Sequence, residues 1–236
     1  MRNISLQQEL DLILSRKLIS GFIDNKKCID WAISLMQRGY ESEYLYILAG
    51  LDYYEWHSIE KYFDLLIEDL HLMRNENKEE LFYLYASNIA HLVIENEIEP
   101  RRGLKTMEEI WLQTLDIDFS DMELVQFSYL AEDASLIGEY QIAYIGLTEE
   151  NLNEVIVDEM KMFLQIKNKE LYNISNLIYC NKCTSFTHSE YKENGWLFKR
   201  WGWHCKKCNS KEFLAWYNVA DRKQIIKILE NDEKAI

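Results

Sequence analysis

The sequence predicts a mainly α-helical protein: a helical bundle followed by a small zinc-ribbon module built on a β-hairpin, and a terminal helix. Three observations lead there. One proline and eight glycines among 236 residues are few, which favours long helices over many turns. Apolar residues recur at helical spacing through most of the first 175 positions. Four of the five cysteines then fall into two C-x2-C pairs, in a stretch where aromatic and β-favouring residues replace that rhythm. The expected organisation is an acidic helical domain over 1–175, a zinc-ribbon module over 176–218 and a C-terminal helix over 219–236.

In chain order, Ile4, Leu6, Leu10, Ile13, Leu14 and Leu18 mark a first helix. Asp24 is placed to cap a second, with Cys28, Ile29, Ala32, Ile33 and Met36 inward and Gly39 as its stop. A short helix follows over 42–50. Over about 55–73, Ile59, Tyr62, Phe63, Leu66, Leu70 and Met73 form one stripe. Leu81, Tyr85, Asn88, Ile89 and Leu92 suggest a long helix over 78–97. Pro100 suits the first turn of another, whose face is Leu104, Met107, Ile110, Trp111 and Leu115. Ser120 and Glu123 have capping-box spacing before Met122, Val125, Tyr129 and Leu130. The stretch 136–147 reads as loop, short helix or strand, and Thr148 as the start of a helix of about 24 residues by its apolar pattern.

From residue 176, β-favouring runs are expected at Ile178–Cys180, Ser185–His188, Trp196–Trp203 and Phe213–Tyr217, with a turn at Lys192–Gly195. A final amphipathic helix, about 219–231, uses Ile225, Ile226 and Leu229.

Cys180, Cys183, Cys205 and Cys208 are the expected ligands of one structural Zn2+. Two residues between cysteines let both sulfurs of a knuckle approach one ion at about 2.3 Å, and two knuckles complete a tetrahedron. The 21 residues between the pairs fit a hairpin excursion. A redox C-x-x-C needs one pair in a thioredoxin-like βαβ setting, which is not visible. Iron is the other metal that four thiolates accept. Zinc ribbons usually carry glycine after each pair. Here Thr184 and Asn209 stand there, and Thr tolerates left-handed backbone poorly, so the first knuckle is expected to be the less regular. His204, beside Cys205, is a candidate extra ligand or an imidazole outside the metal's ligand set.

Charge divides the chain. Residues 1–175 carry 15 Lys/Arg against 33 Asp/Glu, whereas 176–218 carry seven against three. Lys199, Arg200, Trp201, Trp203, Lys206 and Lys207 are candidate contacts to nucleic acid or a partner, since basic residues interleaved with rings suit single strands. The competing reading packs these rings, with Trp196, Phe198, Trp216 and Tyr217, against the acidic helices. A zinc tetrathiolate adds about −2 and weakens the nucleic-acid reading.

His57, His71 and His91 form no ligand set of HExxH type, and Asp64, Glu68 and Asp69 read as a solvated face. Cys28 reads as a buried small hydrophobe. There is no Gly-rich phosphate loop and no G-x-S-x-G, so no catalytic residue is assigned and the expectation is a non-enzyme. No run reaches the roughly 18 apolar residues of a membrane span. The polar N-terminal residues lack a signal-peptide core, and with paired cysteines this points to the cytoplasm.

The segments "WAISLMQRGYESEYLYILAGL" (31–51), "IAHLVIENEIEPRRGLKTMEEIW" (89–111) and "LVQFSYLAEDASLI" (124–137) resemble a group of small all-helical bacterial proteins of uncharacterised function. The resemblance covers residues 24–165. It implies a compact helical bundle and toxin-immunity or defence gene neighbourhoods, and it carries over no catalytic residue. The resulting expectation is an antitoxin-like immunity protein whose acidic surface meets a basic protein partner such as a toxin, steered by opposite charge. A nucleic-acid-associated regulator acting through the ribbon is the alternative. An enzyme with a site in the helical domain is the third.

Overall fold

The computed structural model describes residues 4–115, 122–168, 177–194, 200–216 and 218–232. Among them are nine helices: α1 (Leu6–Ser20), α2 (Asn25–Gln37), α3 (Glu43–Ala49), α4 (Trp56–Asp69), α5 (Lys78–Ile94), α6 (Pro100–Leu115), α7 (Met122–Ser135), α8 (Leu152–Asn168) and α9 (Val219–Asp232). Five short strands lie between α8 and α9: β1 (Ile178–Cys180), β2 (Ser185–Thr187), β3 (Ser189–Asn194), β4 (Arg200–Cys205) and β5 (Phe213–Ala215). The protein is mainly α with a C-terminal hairpin module, as its composition implies. Packing groups the chain into two compact units, Met1–Asn88 and Ile89–Ile236.

In the first unit, Ser5 and Gln8 close a capping box on α1, and Gly21 ends it at φ 74°. Asp24 accepts from the Lys27 N–H to start α2. The core gathers Leu10, Ile13, Leu45, Leu48, Ile59, Phe63 and Leu66. The inward face of α2 is Cys28, Trp31, Ala32 and Leu35, whereas Ile33 and Met36 are exposed. The face expected from the apolar pattern was therefore off by a fraction of a turn. The reason is Trp31. Its indole N–H reaches Glu9 Oε2 at 2.9 Å while its ring meets Phe63 edge-on, so a large amphipathic ring displaces the aliphatic pair. Arg38 also clamps Glu9, at 2.8 and 2.7 Å.

In the second unit, α6, α7 and α8 pack on one another. A Cβ on Gly103 would overlap Val93 Cγ2, so glycine lets α6 close on the end of α5. Residues 136–147 form neither helix nor strand but a chain of turns, and the buried Asp133 carboxylate organises them. It accepts from the N–H groups of Ile142, Ala143 and Tyr144 at 2.8, 2.8 and 2.6 Å. Those three bonds outweigh burial and hold its pKa below the usual range. Helix α8 begins at Leu152 rather than Thr148. Thr148 and Asn151 instead bond reciprocally, each N–H to the other's side-chain oxygen, forming the cap before it. Of the expected capping pair, Ser120 and the side chain of Glu123 lie outside the described residues, as do the positions after 168 that the expected 24-residue helix would reach.

Strand β1 is central in a three-stranded antiparallel sheet ordered β2-β1-β5, and β3 pairs with β4 in a separate ribbon. Lys192 to Asn194 belong to β3, not to a turn. The β3 sequence Ser-Glu-Tyr-Lys-Glu-Asn lacks apolar alternation, and its side chains from Ser189 to Glu193 are half-buried or exposed. Helix α9 packs on β5 and α8. Ile225 and Ile226 share a core with Leu214, Trp216, Met162 and Ile166.

Candidate metal centre

The two halves of the centre come from similar local folds. Strand β1 ends at Cys180, and the chain turns through Asn181–Thr184 into β2. Strand β4 ends at Cys205 and turns through Lys206–Cys208. The Cys205 N–H donates to Ser210 O and the Asn209 N–H to Cys205 O, both at 2.8 Å. The Asn181 N–H donates to Glu212 O at 3.0 Å, tying the first knuckle to the approach to β5. Thr184 and Asn209 both lie at positive φ, 46° and 63°. The first knuckle thus adopts the left-handed residue of the second, contrary to the expected irregularity. Sulfur positioning at the centre dictates that backbone, and the Thr side chain bears the strain.

All four sulfurs lie within 4.8 Å of one another. Cys180 Sγ is 3.4 Å from Cys208 Sγ, and Cys183 Sγ is 3.7 Å from Cys205 Sγ. These are far from a bond of about 2.05 Å, and close to the ~3.8 Å edge of a tetrahedron with 2.3 Å metal–sulfur bonds. The donor set can hold a metal ion. Four thiolates fill a tetrahedron, which leaves no place for a substrate. Partial desolvation opposes ionisation of Cys180, but the N–H groups of Cys183 and Lys182 and the adjacent thiols prevail and bring it down to about 7. The Ser210 N–H favours the Cys208 thiolate, yet desolvation and the thiols of Cys180, Cys205 and Cys183 push it up to about 12. Crowded thiols ionise unequally, and a divalent cation relieves that conflict.

His204 is not in the cluster. Side chains alternate along β4, so it lies on the face opposite Cys205, buried, with Nδ1 2.8 Å from Gly202 O. The candidate contact residues separate. Lys206 and Lys207 are exposed directly after β4. Trp201 and Trp203 are 59% and 51% exposed, so they do not pack on the helices. Trp216, 2% exposed, does so instead. Arg200 opens β4; its side chain, and all of Lys199, Trp196, Phe198 and Tyr217, lie outside the described residues.

A second polar constellation gives no sequence signal. Arg222 of α9 is fully buried and grips Glu159 of α8 with two bonds of 3.0 Å. Its Nη2 also donates to Tyr144 Oη at 3.0 Å, and the guanidinium lies over the Tyr144 and Trp216 rings. In sequence, an Arg and a Glu on amphipathic helices read as solvated. A cleft of about 370 Å3 opens beside them, lined by Tyr144, Leu147, Val155, Asp158, Glu159 and Lys223 among others. Its charges are already matched, Glu159 by Arg222 and Asp158 by Lys223 at 2.7 Å. It includes neither His91 nor Asp64, Glu68 and Asp69, and Asp64 pairs with Arg74. No described helix is long and apolar enough to cross a membrane.

No protein-family model matches the chain, and no curated protein or solved structure is significantly similar to it.

Proposed function

We propose that this is a non-enzymatic protein-binding protein of the immunity type, with one structural zinc ion stapling its C-terminal module and an acidic helical surface that receives a basic partner such as a toxin. The observation that carries the binding reading is a set of exposed aromatics in the first unit, in the α1–α2 loop, the α3–α4 loop and at the start of α4. Phe22, Tyr53, Tyr54 and Trp56 are all more than half exposed, Tyr54 at 73%. The Asn25 side chain donates to Tyr53 O at 2.8 Å, tying the start of α2 to the α3–α4 loop. Asp52 fixes the second loop by accepting from the Tyr54 N–H, and Glu55 by accepting from the Asp52 N–H. Ordered, exposed Tyr and Trp are the residues that dominate protein interfaces, and Asp24, Asp52 and Glu55 around them suit a cationic surface.

The test is calorimetric titration of the full chain against the protein encoded beside it, at 50 and 300 mM salt. The expected result is binding that salt weakens and that Tyr54→Ala or Trp56→Ala weakens tenfold or more. Absence of binding, or binding indifferent to both truncations, refutes the reading. For the metal, analysis of protein purified without added metal is expected to give one zinc per chain. Iron would show as a red protein and overturn the zinc assignment.

A further inference from the structure

The geometry points to a second binding surface: the Trp201–Tyr191–Trp203 face of the β3–β4 ribbon is a stacking platform for single-stranded nucleic acid. The pairing register sets Tyr191 opposite Trp203 and Glu193 opposite Trp201. Period-two alternation then puts Tyr191, Trp201 and Trp203 on one face of the ribbon. The rings meet there. The Tyr191 and Trp201 centroids are 5.6 Å apart at 23°, stacked, and those of Tyr191 and Trp203 are 5.3 Å apart at 55°. Tyr191 is 55% exposed, close to the two tryptophans, so each ring keeps about half its surface in water.

Contiguous exposed rings in a described module mark a contact surface rather than a leftover of folding. Its chemistry selects the ligand. The large exposed hydrophobic residues described in the module, Tyr191, Trp201 and Trp203, are all aromatic. Flat π faces match nucleobases, every one of which can stack, and the basic balance of residues 176–218, seven Lys/Arg against three Asp/Glu, suits a phosphate backbone. Lys206 and Lys207 follow directly on β4 beyond Trp203, exposed, with Lys207 Nζ 3.5 Å from Ser185 Oγ. Both lysines are exposed in the same module as the rings and can supply phosphate contacts. Lys192 is committed to Glu190 at 2.6 Å. The acid excess of residues 1–175 opposes a polyanion, which requires that stacking, more than charge, supply the affinity.

That requirement makes the test specific. The full zinc-loaded chain is titrated against a fluorescein-labelled oligo(dT) of about twenty nucleotides and its duplex with oligo(dA), by anisotropy, from 50 to 300 mM KCl. Binding to the single strand is expected, with a shallow salt dependence. Two lysine–phosphate contacts correspond to a log–log slope of only about −1.4. Trp201→Ala and Trp203→Ala should each weaken it roughly tenfold, within the range measured for stacked bases. Trp201→Phe, which keeps a ring, should retain most of the affinity. Joint Lys206→Gln and Lys207→Gln should flatten the salt dependence, and Glu193→Gln should tighten binding. Zinc content serves as the folding control for every variant. No binding at 50 mM salt, equal affinity for duplex, or wild-type affinity in zinc-loaded Trp201→Ala and Trp203→Ala overturns the proposal.

Discussion

Removing the metal, by chelation or by Cys180→Ser, should unfold the strand module and release α9 while leaving the other helices intact. Cys180 ends the central strand β1, which pairs with β2 on one side and β5 on the other. Among the described residues, the cluster around the cysteines buries Ile178, Cys180, Cys205 and Ala215, with Cys183, Cys208 and Phe213 against it. Two of those four buried residues belong to the candidate metal centre. Burial of Ile178 stabilises by about 1.5–3 kcal/mol, against roughly 10–16 kcal/mol of apparent folding energy from zinc in comparable peptides. The metal therefore decides whether the strands form. When β5 is lost, Trp216 leaves its site against Met162, Ile166, Ile225 and Ile226. Its emission should shift to the red, and the shift should vanish in a Trp216→Phe background, since Trp201 and Trp203 are exposed already. Helix α9 has 14 residues, so even its complete loss removes a minor part of the far-ultraviolet helical signal. Stoichiometric metal removal with unchanged tryptophan emission and near-ultraviolet dichroism would refute the reasoning.

Three further outcomes are expected. Asp133→Asn should cost about 2–3 kcal/mol in urea melts at pH 7, because charge-assisted bonds to three N–H groups are lost. The Asp133 pKa is depressed on folding. Its contribution is therefore present above about pH 4 and fades as pH falls through the lower folded value, and the mutant and wild-type stabilities should converge there. Glu159→Ala should cost about 3–5 kcal/mol by leaving a buried guanidinium unmatched, and adding Arg222→Met should restore a large part of it in a double-mutant cycle. Thr184→Gly should stabilise the metal-bound form by up to about 1 kcal/mol. It removes a left-handed strain of roughly 1–2 kcal/mol at the cost of backbone entropy, read as a higher melting temperature with zinc content unchanged.

How much of this was legible depended on whether a residue's role is local. The helix-start signal at Asp24 and the stop at Gly39 act within one turn, and the helices lie close to where the apolar rhythm puts them. The cysteine spacing is equally local, since each knuckle is complete in four residues. Pro100 and Gly103 both lie in segment 89–111, one of those that carry the family resemblance. Why glycine stands there is a tertiary fact, the closeness of Val93. Asp133, Glu159 and Arg222 were illegible for the same reason. A charged residue on an amphipathic helix reads as solvated until its partner, 63 residues away for Arg222 and Glu159, is seen beside it. Polarity hid strand β3 in the same way.

The same accounting explains why the ribbon can hold its rings in water. A segment of about forty residues cannot ordinarily fold without committing its large aromatics to a core. Here a metal held by the four cysteines would replace much of that core, and Trp216 and Leu214 anchor the module, seated against α8 and α9, with the Arg222 guanidinium 5.9 Å from the Trp216 ring. Arg222 in turn is fixed by Glu159 and Tyr144, and Tyr144 by the turn that Asp133 holds. Position thus passes from the sulfur cluster through β1 and β5 to α9 without calling on Tyr191, Trp201 or Trp203. Folding leaves those three rings free, and their stacked arrangement on a single ribbon face is what remains to be accounted for by binding.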